Sequence, residues 1–235
     1  MTLETDLVFN WKASELADRA LAWLAVNHSI AAMDAGSKSI TKHDFGDRAD
    51  RVWYTQRLEG PGIKFGHLVM KPGVLKFAQA AVCDFPRGDG SLYWMLCAVS
   101  DHPSSLDAPL APRVCKTILV HEAAHCLNFT SSGHKPLSFQ AHHADDLASY
   151  YYNTLHEFNA FFHQGLFLLL ADLEMIRSLY CRTRNSGRYA RNQFFSRLLY
   201  GDGYWPIFFV NGLRGKYNRK FRRRCFNVFD EYLPR

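Results

Sequence analysis

The stretch ILVHEAAHCLNFTSSGH, residues 118–134, sets His121 and His125 four positions apart with Glu122 directly after the first. On a helix, positions i and i+4 lie on one face about a turn apart, so both imidazoles can address one cation. Glu122 sits one step round, where it cannot easily join them as a ligand but can hydrogen-bond a metal-bound water. This HExxH spacing suits two histidines on zinc and a glutamate general base. Zinc lowers the pKa of its water and polarises a scissile carbonyl; the glutamate takes the proton and passes it to the leaving amine. Ile118, Leu119 and Val120 precede the motif, Ala123 and Ala124 fill it, and Leu127 follows. Such a helix can be buried, and buried His and Glu need partners.

LVHEAAHCLNF resembles the active-site helix of the zincin metallopeptidases. A catalytic zinc needs a third protein ligand and one open position. The metzincin form would need Gly at 128 and His at 131, where this chain has Asn128 and Ser131. In gluzincin-like peptidases a second helix carries a glutamate that closes the site. Small bacterial members resemble E-x-x-A-F-x-x-Q there, and Glu157, Ala160, Phe161 and Gln164 stand in that order. Larger gluzincins carry an Asp four residues after that Glu, and Phe161 stands there instead. A hydrogen-bond partner for a zinc histidine must then come from elsewhere, with Asp145, Asp146 and Asn153 as candidates. The alternative third ligand is His134 in SSGHKPLSF, which resembles the loop histidine of SprT-like proteases acting on DNA-bound proteins. It lies only nine residues after His125, and Glu157 is preferred.

The other histidines read as ordinary. His142 and His143 are adjacent, so only one can face a given site. His156 adjoins Glu157 and points off the site. His163 packs or is solvated, with donation to a transition-state oxyanion as its other reading. The tyrosines at 150–152 are explained by helix packing, although a Tyr or His often has the oxyanion role in zincins. Six cysteines include no CxxC pair, so neither a zinc ribbon nor a disulfide scaffold is indicated. Cys126 points away from its histidine neighbour and reads as packing.

With 48% hydrophobic residues and 14% aromatic, the chain can build a substantial core. Its charge is uneven. Residues 182–235 carry 13 Lys+Arg against three acids, while residues 1–181 hold 15 against 19. The basic part peaks in LRGKYNRKFRRRC, with Tyr217 and Phe221 among the charges. That pattern suits an anionic partner, nucleic acid or a membrane surface, or simply a solvated helix face. No Sec-type signal peptide or membrane-spanning segment is read, so the expected location is cytoplasmic, or secreted by a dedicated signal-independent system.

Along the chain, apolar periodicity predicts a helix over 12–34. Residues 35–51 read as a loop. Runs at 51–58, 63–70 and 91–100 read as strands, and 73–85 as a helix or another strand. A helix follows at 110–129, with Asp107 as a possible N-cap. Residues 141–184, with one glycine and no proline, read as one long helix or two in series. The strand at 91–99 is the candidate edge that would pair with extended substrate, with a plain core strand as the other reading.

The expectation is a single α+β zincin-like domain over 1–235: a small sheet, the HExxH helix, then a long helix with the third ligand. Its core spans about 50–185, with a basic extension at 186–235. The resemblance implies a zinc-dependent metalloendopeptidase acting on a protein or peptide, with His121, His125 and Glu157 on Zn2+ and Glu122 as base. It also implies a bacterial effector or toxin context. The alternatives are an SprT-like protease, and a non-catalytic basic binding module with a relic site.

Overall fold

Short β-rich runs between turns and long apolar-periodic runs give the chain both strands and helices. The computed structural model describes residues 2–27, 38–41, 49–54, 62–70, 80–86, 92–101, 115–132, 151–183 and 185–233. Helix dominates them. In chain order they form α1 (Leu3–Val26), β1 (Lys38–Thr41), β2 (Ala49–Tyr54), β3 (Ile63–Met70), β4 (Ala80–Pro86), β5 (Leu92–Asp101), α2 (Lys116–Ser132), α3 (Leu155–Ala171), α4 (Leu173–Thr183), α5 (Gly187–Tyr200), α6 (Ile207–Gly212) and α7 (Gly215–Tyr232). Among the described residues helices and one five-stranded sheet are both present. Contacts divide it into two compact units: residues 13–137, and residues 1–12 with 138–235.

The first unit holds the sheet, ordered β1-β2-β3-β5-β4. β3 and β5 run parallel, Ile63 opposite Trp94, and the other pairs are antiparallel. β1 lies inside the stretch expected as a loop, because four residues with one large apolar side chain, set in a polar run, give a weak strand signal. The ambiguous run at 73–85 contains β4, which begins at Ala80. The expectation that 91–99 forms a sheet edge is corrected. β5 hydrogen-bonds β3 on one side and β4 on the other, so neither flank is open to a substrate strand. Among the described residues the edges are β1 and β4. α2 packs on β4 and β5 and buries Leu119, Val120, Ala123, Ala124 and Cys126.

Helix bounds differ from those expected. α1 starts at Leu3, about two and a half turns early, with Glu4 and Asp6 in its first turn at the positive end of the helix dipole. α2 starts at Lys116, where the amides of Ile118 and Leu119 donate to the Cys115 carbonyl. Asp107, the expected cap, lies outside the described residues. Within the described part of the run expected as one long helix or two in series at 141–184, helical residues 151–152 break at Asn153 and Thr154, and α3 and α4 then follow, separated at Asp172, whose amide closes on the Leu168 carbonyl at 3.2 Å.

The second unit is helical around an aromatic core: Phe158, Phe161, Phe162, Trp205, Phe209, Phe221 and Phe229 are all buried. The Trp205 indole N–H donates to the Phe162 carbonyl at 3.2 Å. The indole lies so close to α3 that a Cβ on Gly165 would overlap it, which is why the apolar run of α3 is interrupted by glycine. Residues 186–235, expected as an extension to a core at 50–185, are woven into this core through Leu198, Phe209, Phe221, Val228 and Phe229. Arg224 of α7 is 1% exposed. Its guanidinium donates to both Asp6 oxygens at 2.7 and 2.8 Å and to Asn159 Oδ1 at 3.0 Å. It also stacks over Phe162, 3.6 Å from the ring centroid. Burial pulls its pKa below the usual arginine value, and the bonds to Asp6 oppose that. A charge this deep is tolerable only with such pairing. No helix among the described residues is long and apolar enough to cross a membrane.

Candidate metal centre

α2 turns its apolar side chains to the sheet and carries His121 and His125 one turn apart. Both are 7% exposed. Their Nε2 atoms face each other at 3.2 Å, with the rings edge-on and 4.9 Å between centroids. Phe129, one turn on, stacks on His125 at 5.9 Å and limits its rotation.

Glu157 sits in the first turn of α3. Thr154 is the N-cap, its hydroxyl accepting from the Glu157 amide at 3.4 Å. The sequence Thr154-x-x-Glu157 is a capping pattern, and it would have placed this helix start better than the proline-free run beginning at Ala141. The first-turn position also holds the acidic side chain at the positive end of the helix dipole.

His121, His125 and Glu157 form a group that could hold a metal ion: one ligand atom from each lies within 4.8 Å of the other two. The donor chemistry fits. Two imidazole nitrogens at about 2.0–2.1 Å from a tetrahedral ion are about 3.3–3.4 Å apart, and the pair here stands at 3.2 Å. A carboxylate completes the two-His-one-Glu set common on catalytic zinc.

Glu122, the expected base, is half-buried on the same helix and outside the three-residue group, as its angular offset requires. Cys126 is buried in the packing, as expected. His134, the alternative ligand, lies outside the described residues, as do His142, His143, Asp145, Asp146 and Tyr150. Asn153 has other work: its side-chain amide donates to the Gly212 carbonyl at 2.9 Å, and its oxygen accepts from the Arg214 amide at 2.8 Å. The oxyanion reading of His163 is corrected. This histidine is fully buried, with Nε2 3.1 Å from the Arg224 guanidinium and its ring 4.4 Å from Phe9. Burial and then the Arg224 charge hold it well below the usual histidine pKa, and it packs.

The tyrosines do pack: Tyr151 and Tyr152 meet Phe161, and Tyr152 also meets Phe208 and Phe209. A feature the sequence did not single out is the link between Tyr152 and Glu157. Burial first, then the Glu157 carboxylate, raise the Tyr152 pKa, so its hydroxyl stays a donor. Gly212 makes room for that ring, since a Cβ there would stand 2.5 Å from Tyr152 Cδ2.

No family model matches the chain, and neither the curated proteins nor the solved structures give a match.

Proposed function

We propose that the chain is a zinc-dependent metallopeptidase of zincin-like, gluzincin-type organisation. The observation that carries this reading is the convergence of the two Nε2 atoms of an HExxH helix, 3.2 Å apart, with the Glu157 carboxylate in the same group. His121, His125 and Glu157 would hold the ion. A bound zinc would supply an acidified water and an electrophile for the peptide carbonyl. Glu122 would take the proton from the attacking water and deliver it to the leaving nitrogen, which contributes roughly 10²–10⁴-fold for a positioned acid–base group. Tyr152 is the candidate donor to the developing oxyanion. Extended substrate would pair with β4 rather than β5, because β4 lies at the edge of the sheet among the described residues. Action as an effector or toxin is part of this reading and rests on the resemblance of the motif alone.

The test is Glu122→Gln assayed on unfolded protein substrates. The variant keeps zinc and loses hydrolysis by at least about 100-fold. Full activity in that variant overturns the mechanism.

A further inference from the structure

The basic C-terminal region uses its cations in two ways. Arg224 is consumed inside the helical unit. On the opposite face of α7, Lys216, Arg219, Arg222 and Arg223 are exposed, and none has an ion-pair partner among the described residues. Four like charges within about two turns repel one another, and nothing in the aromatic core requires them.

Just before α7, the short helix α6 opens with an apolar pair turned to solvent. Ile207 is 68% exposed and Phe208 53%. They cannot roll inward, because the next two residues, Phe209 and Val210, fill the core. The preceding Trp205 is fixed by its bond to the Phe162 carbonyl. At the other end of α6, roughly 9 Å along its axis, Arg214 Nη1 donates to the Asn211 carbonyl at 2.7 Å. This holds a cation at the C-terminal end of this short helix, and Lys216 follows two residues on.

Exposed isolated apolar residues are ordinary, but a consecutive exposed Ile–Phe pair followed within a few residues by a helix carrying four exposed cations is a less usual combination. Its chemistry matches the boundary between acyl chains and headgroups of an anionic bilayer. Apolar side chains enter the boundary and Lys/Arg side chains meet the phosphates. Nucleic acid would accept the cations, but it offers an exposed aliphatic Ile no stacking partner. We propose that the Ile207–Phe208 tip and the exposed cations of α7 dock the chain on an anionic phospholipid surface. This holds whether or not the metal reading does.

The test is co-sedimentation of the full chain with phosphatidylcholine vesicles containing about 30% phosphatidylserine, against pure phosphatidylcholine vesicles and a 20-base-pair duplex, at about 0.1 M salt. The chain binds the anionic vesicles and not the neutral ones. Lys216→Ala with Arg219→Ala weakens binding roughly 25-fold, about fivefold per cation. Ile207→Ser weakens it about tenfold. Ile207 is chosen because Phe208 also packs on Tyr152 and Phe161, and these three exposed positions leave the fold intact. Absence of binding to the anionic vesicles overturns the proposal, as does vesicle binding unchanged by both variants. Binding to the duplex without binding to vesicles also overturns it and assigns the cations to nucleic acid.

Discussion

Among the described residues two helices bury histidine, and they do so in opposite ways. On α3, His163 faces the Arg224 guanidinium at 3.1 Å, inside a cluster where Asp6 and Asn159 take up three further arginine donors. Its Nε2 accepts from the guanidinium and burial keeps it uncharged, while its buried Nδ1 has no hydrogen-bond partner among the described residues. On α2, His121 and His125 turn Nε2 toward Nε2. Two like groups share one point in space, which a hydrogen bond between them uses incompletely and a cation uses fully. Burial alone therefore does not mark a ligand histidine; what the second nitrogen faces does.

The largest expected effect breaks the closed cluster. Arg224→Met leaves Asp6 buried and unpaired and costs about 3–5 kcal/mol in denaturant unfolding. Asp6→Leu combined with Arg224→Met recovers most of that loss, because two apolar groups replace the pair. A loss below about 1 kcal/mol in the single variant would mean the cluster is not the anchor described.

The next effect concerns pH. Burial pushes the His67 imidazole on β3 down to about 4, and His163 is also depressed. Their unfolded forms titrate near 6.5 and bind protons the folded forms refuse. Stability is therefore full above pH 6.5 and falls as pH drops from 6.5 toward 4. His67 alone contributes about 3 kcal/mol of that fall. Unfolding at pH 7.5 and 5 measures it, and His67→Leu flattens the slope. An unchanged slope would show that His67 is charged or open to water.

Smaller again is Gly165→Ala, which presses a methyl into the Trp205 indole and costs about 1–3 kcal/mol by overpacking. Its readout is the thermal midpoint together with tryptophan fluorescence. The smallest is Lys116→Ala. Its ion pair with Asp18 at 2.8 Å lies at the start of the motif helix, with side chains 33% and 57% exposed. The expected loss is a few tenths of a kcal/mol, with zinc content unchanged. A large loss of either would put this surface pair in a supporting role for the α2 histidines.

What the sequence disclosed tracks how local each determinant is. The helical i, i+4 relation of His121 and His125 is fixed by one turn of backbone, so spacing alone anticipated it. The strand Ile63–Met70 was legible to the residue because Gly62, in a left-handed turn with φ 76°, starts it sharply. The internal position of β5 was not legible, since strand order depends on pairings over tens of residues. Arg224 looked like one more charge in a basic run, because nothing near it in sequence announces Asp6, 218 residues away. For Glu157, the E-x-x-A-F-x-x-Q pattern pointed to the residue, but its grouping with two histidines more than 30 positions earlier is a tertiary fact.

The central claim concerns the two α2 histidines and Glu157, and metal stoichiometry of the purified chain tests it most directly. Elemental analysis after removal of loosely bound ions should find one zinc per chain in the wild type and in Glu122→Gln. It should find none in His125→Ala, strongly reduced zinc in Glu157→Ala, and unchanged zinc in His163→Ala and His134→Ala. Absence of stoichiometric zinc from the wild type, or full retention in His125→Ala, would contradict the account.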